Sequence, residues 1–156
     1  MKPQLAKDIM VTKLVTVTPE TDILDAISRL LENKISGAPV IDGERRFLGV
    51  LSERCALQAV MQAAYHEVPS DKVSAFMDTE CTTISEDTAI TEILDIFQKQ
   101  RFRRLPVVQG GKLVGQISRR DVLRSVLEQL EKRPDPEKPK LLYLSALFDS
   151  GDSPIA

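Results

Sequence analysis

The chain has 156 residues, 42% hydrophobic and 28% charged, with a net charge of −2. This is an ordinary globular composition, and a chain of this length buries roughly 68–70% of its unfolded surface without help from a disulfide or metal. A pI near 5.5 excludes the basic footprint of a nucleic-acid binder. Two cysteines without CxxC spacing, Cys55 and Cys81, beside one histidine, His66, exclude a closed zinc site.

The N-terminal stretch 1–8 lacks the apolar core of a signal peptide. No apolar run approaches the roughly 18 residues that span a bilayer. A cytoplasmic protein with reduced thiols is expected, with no membrane or nucleic-acid partner.

In chain order, Leu14–Val17 reads as a brief strand, stopped at Thr18-Pro19, since proline disfavours helix in the residue before it. Thr21 or Asp22 can cap a helix over about 22–34, with Ile23, Ala26, Ile27, Leu30 and Leu31 as its apolar stripe. Ala38–Ile41 and Arg46–Leu51 read as strands joined by a turn at Asp42-Gly43. A second helix runs over about 53–65, with Ala56, Leu57, Val60 and Met61 expected inward.

The second half repeats the first. At an offset of 67, Met10 falls on Met77, Thr16 on Thr83, Ile23 on Ile90 and Pro39 on Pro106. One residue is then dropped in the loop, and Gly49 falls on Gly115, Ser52 on Ser118, Arg54 on Arg120 and Leu57 on Leu123. The repeat predicts helices over about 89–101 and 119–132, and strands over about 106–109 and 112–117.

The expected class is therefore α+β, a β-α-β-β-α unit used twice. One unit exposes more apolar surface than it can cover alone, so the two are expected to pack with an intramolecular pseudo-twofold. The expected division is 1–68 for the first repeat, 69–132 for the second and 133–156 for a tail, with a hinge at 65–72. Residues 133–139 hold three prolines and cannot be helical throughout. The apolar stretch 141–148 that follows is expected to pack on its own chain or on a partner.

Asp8-Ile9-Met10, Thr16-Val17-Thr18-Pro19, Gly37-Ala38-Pro39-Val40 and Gly49-Val50-Leu51-Ser52 have counterparts in the second repeat. These are Phe76-Met77, Thr83-Ile84-Ser85, Arg104-Leu105-Pro106-Val107 and the run from Gly115 to Asp121. Duplicated in this order, the pieces resemble a pair of cystathionine-β-synthase (CBS) domains, also called a Bateman module, over about residues 3–130. The resemblance implies a regulatory module that binds AMP, ADP, ATP, S-adenosylmethionine or a related adenosine compound between its repeats. It also implies a homodimer, no required cofactor and no catalysis. An effector protein, unidentified, would be acted on in trans unless the chain is a free-standing sensor. The alternative is a structural dimerisation module that binds no ligand.

The family's ligand motif, Gly-x-x-Ser/Thr-x-x-Asp, is intact in the second repeat as Gly115, Ser118 and Asp121. A carboxylate can accept from both ribose hydroxyls, and a helix N-terminus offers free N–H groups to phosphate. Arg119 and Arg120 add charge-assisted donors, and Ile117 lies within the motif. Ser-x-x-Asp is equally the spacing of a capping box. The resemblance implies that Ile35, Ser36, Gly37 and Ala38 supply the facing wall, with Thr12 nearby. In a second, weaker site Ser52 and Cys55 would stand with Phe102, Arg103 and Arg104. There a thiol replaces the carboxylate and cannot hold a ribose diol. Cys55 reads either as a buried small side chain or as a thiol activated at a helix N-terminus. No nucleophile–base set can be assembled around the single His66, which argues against an enzyme.

Overall fold

The computed structural model describes residues 4–65 and 70–132. The elements are α1 (Ala6–Ile9), α2 (Ile23–Glu32), β1 (Gly37–Ile41), β2 (Phe47–Ser52) and α3 (Glu53–Ala64). After a 3₁₀ turn at Val73–Ala75 come α4 (Ile90–Lys99), β3 (Arg104–Gln109), β4 (Lys112–Ser118) and α5 (Arg119–Glu131). Strands β1 and β2 form one two-stranded sheet, β3 and β4 another. The α+β reading and the twofold use of one repeat hold. His66, Pro69 and the tail 133–156 lie outside the described residues.

Packing divides the described residues into two compact units, one drawn from Lys13–Thr83 with Val108–Leu113, the other from residues 4–12, Ile84–Val107 and 114–132. In the first, Asp22 rather than Thr21 caps α2, its carboxylate accepting from the backbone N–H groups of Leu24 at 2.9 Å and Asp25 at 3.4 Å. Thr21 instead closes the preceding turn, its hydroxyl accepting from the Thr18 N–H. That turn reduces the expected strand at Leu14–Val17 to a single bridge, in which Val17 pairs in parallel with Val40. Antiparallel β1 and β2 run in register from Gly37 opposite Ser52 to Val40 opposite Gly49, with a shift before Ile41. The core gathers Val17, Ile23, Ala26, Val40, Leu51, Ala59, Val73 and Phe76.

Four residues expected to face inward, on two helices, are exposed. Leu31 is exposed, because it lies roughly a quarter turn from the centre of the Ile23–Ala26–Leu30 stripe. On α3 the buried side chains are Ala56 and Ala59, whereas Leu57, Val60 and Met61 are 70%, 55% and 62% exposed. From Cys55 to Tyr65 only Gln58 and Gln62 are distinctly polar, so the apolar pattern could not fix the rotation of this helix. Small side chains turn inward and let it pack closely. On α5 Leu130 is buried and Leu127 is exposed.

The other unit has the same internal plan. Ile84 bridges Val107 in parallel, as Val17 bridges Val40, and the core gathers Ala6, Ile84, Ile90, Ile93, Leu105, Val107, Ile117 and Val122. The dropped residue between the repeats is a loop difference. Strands β3 and β4 join through Gly110 and Gly111, both at positive φ, where glycine carries no steric cost. The longer β1–β2 loop places Arg45 at positive φ and is tied by Asp42, whose carboxylate accepts from the N–H groups of Glu44 and Arg46.

The compact units do not follow the sequence repeats. Residues 4–12 precede the first repeat's helices yet pack with α4, β4 and α5, and residues 73–83 precede the second repeat's helices yet pack with β2. Each segment is fixed by a reciprocal backbone bridge. Val11 and Gln116 exchange two hydrogen bonds of 2.9 Å, as do Asp78 and Val50. Both crossings need a glycine on the strand. A Cβ on Gly49 would stand 2.4 Å from the Asp78 carbonyl oxygen, and one on Gly115 would stand 2.6 Å from the Met10 sulfur and 3.1 Å from the Val11 oxygen. Gly115, singled out as part of a ligand motif, therefore has a packing reason of its own.

Gly49→Ala forces backbone apart, and overpacking of this kind costs about 1–3 kcal/mol. The expected fall in melting temperature is about 3–10 °C, read by differential scanning calorimetry. Gly43→Ala is the control: no atom lies within 4 Å of its Cβ, and its melting point should move by less than about 2 °C, as expected for a surface change.

Candidate functional site

The two strand-to-helix junctions, β4 to α5 and β2 to α3, carry the candidate residues. At the first, Ser118 is the N-cap of α5 and its hydroxyl accepts from the Asp121 N–H at 3.1 Å. The carboxylate of Asp121 reaches back, Oδ2 accepting from the Ser118 N–H at 2.8 Å and from the Ser118 hydroxyl at 2.9 Å. This is a complete capping box. Among the described residues Oδ1 accepts only from Arg124, at 3.2 Å, a side chain that is 64% exposed. A carboxylate offers about four lone-pair positions, so Asp121 can cap its helix and still accept from another donor. Capping and ligand contact, competing explanations of the same spacing, are compatible here.

At the second junction Ser52 caps α3, its hydroxyl accepting from the Cys55 N–H at 3.2 Å. The same hydroxyl donates to the Cys55 sulfur at 3.2 Å. The thiol supplies no carboxylate oxygen for a sugar hydroxyl. Cys55 is half-buried and packs at the edge of its unit's core, which agrees with its reading as a small packed side chain.

Each junction is tied to the start of its own repeat's hairpin. The Glu53 N–H donates to the Ser36 carbonyl at 2.9 Å, and the Arg119 N–H donates to the Arg103 carbonyl at 3.3 Å. The Arg119 guanidinium adds a bond from Nε to the Phe102 carbonyl at 3.1 Å. The structure thus brings Phe102 and Arg103 beside Ser118–Asp121, and Ser36 beside Ser52–Cys55. Thr12 is exposed and follows Val11, whose pairing with Gln116 sets it near the end of β4. Arg120 and Arg103 are exposed; Ile35, Ser36, Gly37, Phe102 and Arg104 are half-buried. Ile117 and Ala38 are fully buried, which leaves only their backbone groups for any ligand.

Arg124 was missed by the sequence reasoning. Its signal was available, because an acid and a base three residues apart share a helix face, and Asp121–Arg124 has that spacing. The first repeat has Cys55 and Gln58 at the matching positions, so the ion pair belongs to one junction only.

The second cysteine has a distinct environment. The Cys81 sulfur donates to the Asp78 carbonyl at 3.1 Å. Burial, then the negative charge of Asp78, pushes its thiol up to about 11.

An α+β pair of repeats with two capped strand-to-helix junctions is the class this fold defines. The CBS domain model matches residues 6–62 and 73–128. The chain belongs to the CBS-domain family. It is 35% identical over 150 residues to the inosine-5′-monophosphate dehydrogenase of Aquifex aeolicus, covering 94% of this chain and 29% of that enzyme. It is 32% identical over 126 residues to the A-adding tRNA nucleotidyltransferase of the same organism, covering 81% of this chain and 15% of that protein. The chain thus spans well under half the length of both enzymes. Among solved structures it resembles CBSX2 in complex with AMP, with a TM-score of 0.73 and 30% identity, over 83% of this chain and 98% of that one; CBSX2 comes from Arabidopsis thaliana. No helix among the described residues is long and apolar enough to cross a membrane.

The raised Cys81 pKa predicts slow alkylation. Only the thiolate reacts, and at pH 8 a shift from 9.0 to about 11 lowers the thiolate fraction roughly a hundredfold. Mass-resolved labelling with iodoacetamide should therefore modify Cys81 tens of times more slowly in the folded protein than in urea. The linkage has a definite sign. The folded state keeps the proton that the unfolded state loses, so this contribution to stability is present below pH 9 and is lost as pH rises from 9 towards 11.

Proposed function

We propose that the chain is a regulatory module that binds an adenosine-containing ligand and performs no chemistry itself. The observation that carries this reading is the spare acceptor capacity of Asp121 at the capped start of α5. There, among the described residues, Oδ1 is shared only with an exposed arginine, in a chain similar to a CBS pair solved with AMP. In this reading Asp121 takes the ribose diol, and the N–H groups opening α5 with Arg119, Arg120 and Thr12 take phosphate. S-adenosylmethionine is an alternative ligand on the same ribose contact. The module acts in the cytoplasm, as a homodimer, on an effector protein. A second reading, a structural module that binds no ligand, is favoured by Cys55, which leaves the first repeat's junction without a ribose acceptor.

Calorimetric titration with AMP and ATP separates the two readings. One binding site per chain is expected, with the junction at Cys55 weak or empty. Hydrogen bonds to a charged group are worth about 1.5–3 kcal/mol each, and about 1.4 kcal/mol is tenfold in affinity. Asp121→Ala should therefore weaken binding at least about tenfold. Asp121→Asn keeps an oxygen for the Ser118 N–H and controls for loss of the cap. Cys55→Asp should create or strengthen a second site. Unchanged affinity in both Asp121 variants would refute the assignment, and no binding of AMP or ATP to the wild type would favour the structural reading.

For the homodimer, sedimentation at micromolar concentration should give about twice the 17.4 kDa chain mass. Repeating the run on a chain truncated at Arg133 tests whether the apolar stretch 141–148 takes part.

A further inference from the structure

We infer that Cys55 and Cys81 form a dithiol site, which closes to an intramolecular disulfide when a small-molecule disulfide such as oxidised glutathione is in excess. The site lies within one compact unit and needs no ligand at either junction. Both sulfurs are anchored at the outgoing end of β2. The Cys55 sulfur accepts from the Ser52 hydroxyl at 3.2 Å, and Ser52 is the last residue of the strand. The Cys81 sulfur donates to the Asp78 carbonyl at 3.1 Å, and the same oxygen accepts from the Val50 N–H at 2.9 Å. Two residues of strand separate Val50 from Ser52, so the anchoring positions are about 7 Å apart along β2.

The chain around each thiol favours their meeting. The Asp78 carboxylate accepts from the Glu80 N–H at 2.9 Å, a turn that carries Cys81 back over Asp78. Cys55 packs against the same core as Met77, the neighbour of Asp78. Both thiols are half-buried, open enough for a small oxidant. Burial first, then the charge of Asp78 and last that of Cys55 push the Cys81 thiol up, against the Val50 N–H. The two sulfurs are therefore near enough to act on each other. Their pairing belongs to one junction only, because the matching positions of the other repeat hold Asp121 and Leu14.

The order of steps follows from which thiol holds its proton. Cys81 keeps its proton up to about pH 11, and only a thiolate attacks, so the first step falls to Cys55. Its sulfur bonds to one sulfur of oxidised glutathione, the S–S bond breaks, and the other half leaves with the electron pair and takes a proton from water. Cys81 then loses its proton to water and attacks the Cys55 sulfur, displacing the second glutathione. Two S–H groups are lost, one S–S bond forms, and one glutathione disulfide is reduced to two thiols. The bond would tie the first turn of α3 to the segment that bridges Val50, closing the exchange of leading segments covalently.

The test equilibrates the full chain in glutathione buffers of graded ratio, quenches with acid and reads the bond by peptide mass mapping. A Cys55–Cys81 linkage within one chain is expected. Native geometry should favour that bond at least about tenfold over the same bond formed in concentrated urea, as the usual stabilisation by a disulfide implies. At pH 7 Cys81→Ser should stop with one glutathione on Cys55, and Cys55→Ser should take up glutathione tens of times more slowly. A folded chain carrying two glutathiones, a bond between two chains, or a folded-to-urea ratio of one or less would overturn the dithiol site. Equal rates in the two single variants would overturn the order of attack. None of these outcomes bears on adenosine binding, which the titration above reads separately.

Discussion

The reciprocal backbone bridge that fixes each leading segment is the constraint on which the rest of the chain depends. Val11 with Gln116, and Asp78 with Val50, each exchange two hydrogen bonds of 2.9 Å. A two-stranded sheet is marginal by itself in water, and each hairpin gains a further paired residue on its outer strand from a segment that lies far from it in sequence. The same segments carry Ala6 into one core and Val73 with Phe76 into the other. Neither repeat, cut at its sequence boundary, would keep the residues that close its unit. That interchange couples the two halves through covalent connectivity, and it explains why glycine stands on both strands at the crossing. The oxygen of Asp78 and the sulfur of Met10 occupy the space where a Cβ would be.

The bridge also sets the candidate site. Gln116 is two residues before Ser118 on β4, so the pairing that anchors Val11 orients the end of the strand from which α5 starts. Ser118 and Asp121 then close a capping box that holds the first turn rigidly. A binding group is most effective when its own conformation is fixed before the ligand arrives. The three bonds from Ser118 N–H, Ser118 hydroxyl and Arg124 hold the Asp121 carboxylate in place. The junction at Ser52 has the cap without the carboxylate. The two repeats keep one backbone design and differ in the chemistry they present at one position.

Much of the fold was legible because the sequence states it twice. The four helices expected from the repeat fell within a few residues of their predicted spans, and so did both hairpins, since the pattern of one repeat constrains the other. The leading strands were over-read. Leu14–Val17 has strand composition, but the turn fixed by Thr18 and Thr21 limits it to one bridging residue. The exchange of leading segments was not legible, because periodicity reports which residues are buried and not which core buries them. The same limit applies to α3, where eleven residues with only two strongly polar members contain no phase information. At the site, Ser118 and Asp121 were legible by spacing. Ile117 and Ala38 carry side chains that serve the interior, and a motif cannot separate a residue that touches ligand from one that holds the strand beneath it.

The two helices that follow the junctions carry the divergence between the repeats furthest. They descend from one pattern, with Leu57 matching Leu123 and Met61 matching Leu127, and all four side chains are exposed. Around them α5 has Arg120, Arg124, Glu128 and Glu131, while α3 keeps only Glu53 and Arg54 at its first turn. Charge at the start of α5 has a use next to Asp121, where Arg124 neutralises the carboxylate and the exposed guanidinium of Arg120 remains in water. Charge along the rest of that helix keeps its leucines from forming an adhesive strip. On α3 Cys55 stands where α5 has Asp121 and Gln58 where α5 has Arg124, so no charge interrupts the apolar side from Leu57 to Tyr65. Cys55 thus stands at the head of the helix whose exposed side carries no charge beyond its first turn, whereas Asp121 heads the helix that carries charge along its length.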